Sequence, residues 1–426
     1  MAARPLRMGI FGVGRMGQIH LENLMKRQAA GACVVAAEGD RHEATLAEAL
    51  ASPAMAEGGG RPRTSPSYST PEEMIAANLQ LDGVVISSRT EDHFRDALVF
   101  AEAGVPVLLE KPFANTTDEC FAFVDKLSSL PEGGAKLVNV GCNRAFDPAA
   151  RAAAGWSEGG LIGDLQQSHH VHQQKNPRTR KSTAPGIVSD MMCQLVFEAM
   201  YFHSWKLPAR LYAVSHMAPH YEDDAGEGAN VVHAFLSWED GSIAHLHGSR
   251  INVAGYDNGF QLMGTEGRID VGDFAGDFGD VTAKLFRGNG KRLSVEPQVA
   301  QRGTLVESLA FPMTQGRVSP GRTNDDPVNT DGYDHPDYYS RYASAYENEL
   351  DEFMEHIRTG RAFPTGPEVG WKTAFVANLL QQNSECLASG FWDISHLRNV
   401  DDASEYHFAM QFRNAGGAQS SFGAGI

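Results

Sequence analysis

The chain opens with a short apolar run, Leu6 to Phe11, made of residues that favour extended backbone. The run stops at Gly12, and the spacing of Met16, Ile19, His20 and Leu24 then predicts a helix. Further apolar runs at Cys33 to Ala37, Val84 to Ile86, Val105 to Leu109 and Leu137 to Val140 predict strands. Phe94, Leu98 and Ala101 predict a helix over 92–103, stopped by Gly104. Thr116 followed by Glu119 has the form of a capping box for the next helix. Strands that are apolar throughout and alternate with helices predict a parallel sheet buried on both faces. The Gly/Pro-rich stretch 51–66 interrupts the alternation and reads as an exposed loop.

After residue 150 the pattern changes. Extended segments follow one another at Leu165 to Val171, Arg210 to Val214, Val231 to Trp238, Ile243 to His247, Gly259 to Met263 and Ile269 to Val271. Turns such as Glu239-Asp240-Gly241 separate some of them, which predicts a mostly antiparallel sheet. A helix over 190–205 interrupts the series. Residues 288–335, rich in Gly, Pro, Asn and Asp, read as long loops. Tyr346, Leu350, Phe353 and Ile357 form one apolar face of a helix that starts near Tyr342. The tail from residue 412 has a flexible composition. The expected organisation is therefore an α/β Rossmann domain over 1–145, an α+β domain with a large, mainly antiparallel sheet over 146–411, and a tail over 412–426.

Composition narrows the partners. A chain of 426 residues suits two cores. The 53 acidic and 36 basic side chains leave a net charge of −17, which disfavours nucleic acid and anionic membrane. The five cysteines are scattered and form no CxxC pair, so neither a structural zinc site nor a disulfide framework is expected, and a reducing cytoplasm fits. The first apolar run leads straight into a glycine motif and reads as a strand, not a signal peptide. No apolar run is long enough to predict a membrane span.

The sharpest chemistry lies in Gly12-Val13-Gly14-Arg15-Met16-Gly17. The first glycine permits a tight turn after the strand, the second lets backbone approach a pyrophosphate, and the third allows close helix–strand packing. The helix N-terminus then offers free N–H groups to the phosphates. An acidic side chain at the end of the second strand is expected to bind the adenosine ribose. Asp40 is the best placed, with Glu38 as its competitor. An acid there favours NAD over NADP, while the adjacent Arg41 pulls the other way.

Two more motifs follow strands: Ser87-Ser88-Arg89-Thr90-Glu91-Asp92-His93 and Glu110-Lys111-Pro112. With the glycine fingerprint they resemble the Gfo/Idh/MocA oxidoreductases, the glucose–fructose oxidoreductase and inositol dehydrogenase family. Gly141-Cys142-Asn143-Arg144-Ala145-Phe146-Asp147 is similar to the segment that closes the nucleotide domain of that family. Ser249-Arg250, Gly255-Tyr256-Asp257, Gly264-Thr265-Glu266-Gly267 and Ala345-Tyr346-Glu347-Asn348-Glu349 resemble its inositol dehydrogenase branch.

The resemblance implies a homodimer or homotetramer, and a small polyol or sugar as substrate. It adds Arg15, Met16, Ser88, Arg89, His93, Glu110 and Lys111 to the cofactor contacts. It implies that Lys111 lies between nicotinamide and substrate and assists proton transfer at the reacting hydroxyl. A lysine beside a positive ring sheds its proton more readily, which suits that role. Asn176, in Lys175-Asn176-Pro177, and Tyr256 resemble substrate contacts.

The family also carries an Asp followed four residues later by His or Tyr, a spacing that places both on one helix face. Here Asp190 matches and Gln194 departs, because Gln cannot act as a general base. Three readings follow. Lys111 transfers the proton itself and Gln194 orients the hydroxyl. Another base, one of His169, His170 and His172, has been recruited. Or the protein binds dinucleotide without turnover. His170 and His172 share one face of a strand, with His169 on the other. The leading expectation is reversible hydride transfer between nicotinamide and a carbinol carbon of a cyclic polyol or sugar. The alternatives are a non-catalytic dinucleotide-binding homologue and a sugar 3-oxidase that recycles its own NAD. No metal is expected.

Overall fold

The chain, described by a computed structural model, forms two units. Residues 4–51, 66–130, 134, 136–174, 186–216, 229–252, 256–272, 281–288, 304–311, 338–385 and 392–394 are described. The first unit runs to Phe146 and includes Tyr342–Ala374; the second starts at Asp147 and resumes at Phe375.

In the first unit the glycine-broken apolar runs become strands. β1 (Leu6–Phe11), β2 (Cys33–Gly39), β3 (Ser67–Tyr68), β4 (Gly83–Ile86), β5 (Val107–Glu110) and β6 (Val138–Gly141) form a six-stranded sheet in the order β3-β2-β1-β4-β5-β6. All pairings are parallel. Every residue of β4, β5 and β6 is buried, as expected of strands covered on both faces.

The crossovers are α1 (Arg15–Ala29), α2 (Glu43–Ala51), α3 (Pro71–Ala76), α4 (His93–Glu102) and α5 (Thr117–Ser128). Thr116 caps α5 by accepting from the Glu119 backbone N–H, and the Glu119 carboxylate accepts from Asn115 N–H. This is the expected box with its return bond shifted by one residue. Chain order reverses between β1 and β4, the switch point at which open α/β sheets bind ligands. The core joins Met8, Ile10, Val13, Leu24 and Val85 to Leu350, Phe353, Met354 and Phe363.

In the second unit, α6 (Pro148–Glu158) leads to β7 (Leu165–Gln173). A π-helical turn (Val188–Met192) then runs into α7 (Cys193–Phe202). Seven strands follow: β8 (Arg210–His216), β9 (Val231–Ser237), β10 (Ile243–Ser249), β11 (Asp257–Gly264), β12 (Gly267–Val271), β13 (Val281–Arg287) and β14 (Thr304–Phe311). With β7 and the short β15 (Trp392–Asp393) they form a nine-stranded sheet, β14-β13-β12-β11-β7-β10-β9-β8-β15. Pairing is antiparallel except between β7 and β10, which run parallel. This bears out the Rossmann sheet and the mainly antiparallel second sheet.

One expectation fails. β14 lies inside 288–335, read from composition as loop, and pairs along its length with β13. Its segment Thr-Leu-Val-Glu-Ser-Leu-Ala-Phe is strand-forming, but the turn-rich flanks on either side swamp so short a signal. Two long helices, α8 (Tyr338–Thr359) and α9 (Pro367–Glu385), precede β15. No described helix is long and apolar enough to cross a membrane. The expected loop over 52–65 and tail over 412–426 lie outside the described residues.

Candidate functional site

The glycine loop matches the physics of its motif. Gly12 has φ +86°, and a Cβ there would lie 2.3 Å from Ser88 N. A Cβ on Gly17 would lie 2.0 Å from the Gly12 carbonyl oxygen, so helix and strand meet only because hydrogen occupies that position. Gly14 differs: a Cβ there meets nothing within 4 Å. It caps α1, whose first turn holds no acidic side chain. A helix N-terminus with open space at Gly14 and no acidic side chain in its own first turn suits a pyrophosphate. The exposed Arg15 and half-buried Met16 follow directly.

Asp40 stands at the end of β2. One carboxylate oxygen accepts from Val13 N–H at 2.9 Å and the other from His42 N–H at 2.8 Å. The side chain therefore ties the second strand to the glycine loop. Arg41 turns away from it. Its guanidinium makes a two-pronged pair with the buried Asp96 at 2.7 and 2.5 Å and lies 5.2 Å from the centroid of the Phe11 ring. Asp96 and the neighbouring Asp92 raise the Arg41 pKa. Glu38, the competitor, is fully buried within β2.

Two loops beyond β4 and β5 carry the remaining candidates. Ser87 Oγ donates to the Gly12 carbonyl at 2.6 Å, and Ser88 Oγ is buried without a hydrogen-bond partner among the described residues. Arg89 is largely exposed, 3.8 Å from Glu91. His93 is buried, with its ring nitrogens 2.8 Å from the Pro112 carbonyl and 3.1 Å from that of Ser88. It bridges the two loops, and burial pushes its pKa down despite those bonds. Lys111, half-buried, precedes Pro112 across a cis peptide. The Glu110 carboxylate accepts from His20 Nε2 at 2.8 Å and from Lys111 N–H at 3.1 Å. Burial alone would push Glu110 up, but the bond and charge of His20 outweigh it and the net shift is downward. The candidates of the first unit thus gather along one edge of its sheet, after β1, β2, β4 and β5.

In the second unit the Asp190 segment is a π-helical turn, a form often found at functional positions. Asp190 accepts from Arg250 Nη2 at 2.8 Å, and Gln194 begins the second residue of α7. The Tyr256 hydroxyl accepts from Asn258 Nδ2 at 3.1 Å, and its ring meets His172 edge-on. His172 and His170 share a strand face, as expected. His170 is fully buried, with Nδ1 3.2 Å from Glu198, Nε2 3.0 Å from Ser168 Oγ, and its ring stacked on Phe202. It is a satisfied core histidine. His169 stacks instead on His245, within a row of rings that includes His233, His247 and Phe235. Asn176 lies outside the described residues.

Reasoning from sequence missed Arg250 as the partner of Asp190, although Ser249-Arg250 had stood out as a motif. It also missed Asp96 as the partner of Arg41 and His20 as the partner of Glu110. No local signal marks them, because their partners are distant in the chain.

Comparison with known proteins agrees with this geometry. Residues 6–131 match the model of the oxidoreductase family with an NAD-binding Rossmann fold, GFO_IDH_MocA. Inositol 2-dehydrogenase 2 of Saccharopolyspora erythraea is 34% identical over 39% of this chain and 45% of its own. Myo-inositol 2-dehydrogenase of Thermotoga maritima is 27% identical over 67% of this chain and 80% of its own. The chain spans about half the length of the first of these relatives. The crystal structure of scyllo-inositol dehydrogenase from Lactobacillus casei, with bound NAD(H) and scyllo-inositol, shares the fold at TM-score 0.64. That match is 18% identical and covers 89% of this chain and 97% of the other. Over residues 6–131 this chain is therefore similar to the Gfo/Idh/MocA oxidoreductases, whose model is that of an NAD-binding Rossmann fold.

Proposed function

We propose that this protein is an NAD-dependent dehydrogenase that moves a hydride between nicotinamide and a secondary hydroxyl carbon of a cyclic polyol or sugar of the inositol class. The observation that carries the reading is that one sheet edge holds both the open glycine loop and Lys111, the latter anchored through buried Glu110. The naming of the relatives as inositol dehydrogenases supports the substrate class.

Gly14 and the α1 N-terminus would hold the pyrophosphate, and Asp40 the adenosine ribose. The bound nicotinamide would supply the hydride acceptor. Lys111 Nζ would take the hydroxyl proton as the carbonyl forms and return it in the reverse direction. Asp190, held by Arg250, and Gln194 would bind substrate hydroxyls, with Tyr256 and Asn176 as further contacts. His170 is too fully bonded in the core to serve as a replacement base, which narrows the alternatives to Lys111 to His169 and His172.

Arg41 supports NAD over NADP, since its guanidinium is committed to Asp96 and Phe11 and so is not offered to a 2′-phosphate. The buried cysteines Cys33, Cys120, Cys142 and Cys193, which form no disulfide among the described residues, support a reducing, cytoplasmic setting.

The test follows NADH absorbance against a panel of inositols and sugars. Lys111→Ala is expected to cut turnover by orders of magnitude and leave calorimetric NAD binding intact. Wild-type rates from that variant would remove Lys111 from the chemistry, and absence of any NAD or NADP affinity would end the reading.

A further inference from the structure

In the first unit, Glu110, Lys111 and Pro112 follow one another, and two buried histidines from different helices reach this segment. His20, on α1, is 0% exposed, and its Nε2 lies 2.8 Å from Glu110 Oε1. Glu110 closes β5, is 4% exposed, and accepts from Lys111 N–H at 3.1 Å through its other oxygen. His93, at the start of α4, places Nδ1 2.8 Å from the Pro112 carbonyl. The main chain just before and just after the lysine side chain is thus bonded to buried groups. Of the two ring nitrogens of His20, Nδ1 is buried and has no hydrogen-bond partner among the described residues, so Nε2 carries the proton and donates it to the carboxylate. The Tyr346 ring meets His20 edge-on, with centroids 5.9 Å apart, and limits how the imidazole can turn.

A buried carboxylate paired with an imidazole is a poor source of stability, because apolar side chains of similar size would pack there without the cost of desolvation. What such a pair supplies is direction, since a charge-assisted hydrogen bond is short and angular. With both oxygens engaged, the Glu110 carboxylate cannot turn without giving up a bond. The pair also joins two elements that the proposed chemistry needs in register. α1 begins at the glycine loop, and β5 ends at the lysine.

We propose that His20 is a positioning residue for Lys111: through Glu110 it fixes the backbone of the lysine relative to α1, the helix at which the pyrophosphate would sit. The inference rests on the reading of Lys111 as the proton-transferring group. His20 itself touches the reacting atoms at no point. Its loss leaves the lysine in the chain but frees the Glu110 carboxylate, and with it the bond to Lys111 N–H. The ammonium-bearing arm then starts from a backbone that is no longer held, and proton transfer falls steeply with such misplacement.

Two amide variants of the full chain separate positioning from packing. Glutamine carries its amide nitrogen where Nε2 of a histidine stands, and asparagine where Nδ1 stands. Both remove the ring and both are polar, so lost packing should lower the melting temperature in each. The kcat of His20→Gln is expected to stay near wild type. That of His20→Asn should fall by about ten- to a hundredfold, with KM for the polyol and calorimetric NAD affinity little changed. His20→Asn combined with Glu110→Gln should lose no more than the worse single variant, because both cut one connection. With no ligand added, deuterium exchange in the peptide that carries the Lys111 amide should be slow in wild type and His20→Gln and faster in His20→Asn. Equal kcat values in the two His20 variants, losses that multiply in the double variant, or unchanged exchange in His20→Asn would overturn the inference alone. If His20→Asn does not fold, His20→Gln decides by itself: a folded variant with kcat down about tenfold overturns the inference. A wild-type rate from Lys111→Ala would instead overturn the reading of Lys111, and the inference with it.

Discussion

Asp40 and Arg41 are neighbours in the chain and do opposite work. Asp40 faces the glycine loop and holds Val13 N–H, whereas Arg41 closes on Asp96. Asp40→Ala is expected to weaken NAD binding by roughly ten- to a hundredfold in calorimetry, the scale of a lost charge-assisted hydrogen bond. Arg41→Ala should leave NAD affinity nearly unchanged. It should lower stability by about 1–3 kcal/mol in denaturant unfolding, because it leaves the buried Asp96 with only the longer contact to Arg95, 3.5 Å away. Equal losses of NAD affinity in both variants would refute this division. Asp40 was legible from its distance after the glycine fingerprint. The commitment of Arg41 was not, since Asp96 lies far along the chain. Gln194 is the residue at which the family pattern breaks. If Lys111 carries the proton, Gln194→His retains or raises turnover, and a collapse would mean that the amide orients the hydroxyl in a way imidazole does not.

At the scale of the element, the glycine loop separates two functions that its motif merges. Gly17→Ala places a methyl group against the Gly12 carbonyl and is expected to destabilise the β1–α1 junction and abolish NAD binding together. Gly14→Ala enters open space, so its melting temperature should stay close to wild type while NAD affinity falls. The row of imidazoles across β7, β10 and β9 makes a separate prediction. Burial, then repulsion among neighbouring histidines, pushes His245 and His247 down to about 4. Their unfolded value is about 6.5. The folded state therefore resists their protonation. Their contribution to stability is present above about pH 6.5 and is lost as pH falls toward 4. Thermal melts followed by circular dichroism should decline across that window, and less steeply for His247→Phe, which keeps a stacking ring without a charge. An equal acid sensitivity in the variant would discount the row. The strands that carry these histidines were legible from their alternation; β14 was not, because its flanks hid it.

At the scale of the molecule, the first unit is not one stretch of sequence. Tyr342–Ala374 belongs to it. Leu350, Phe353 and Met354 of α8 pack in the same core as Ile10 and Val85. Phe353 is 1% exposed, and Phe353→Ala is expected to cost about 3–5 kcal/mol in chemical unfolding. A loss under 1 kcal/mol would mean that α8 contributes little to this core. The apolar face of α8 was readable from periodicity, but nothing local said which core it enters.

Local pattern alone therefore determined most strands of the two sheets, the helices α1, α4 and α5, the capping of α5 and the glycine turn after β1. Each of these depends on neighbours within a few residues: periodicity, a cap, or a backbone angle open only to glycine. The tertiary structure decided the pairings of Glu110 with His20, Arg41 with Asp96 and Asp190 with Arg250. Those depend on contacts between segments far apart in the chain, and such contacts leave no trace in local spacing.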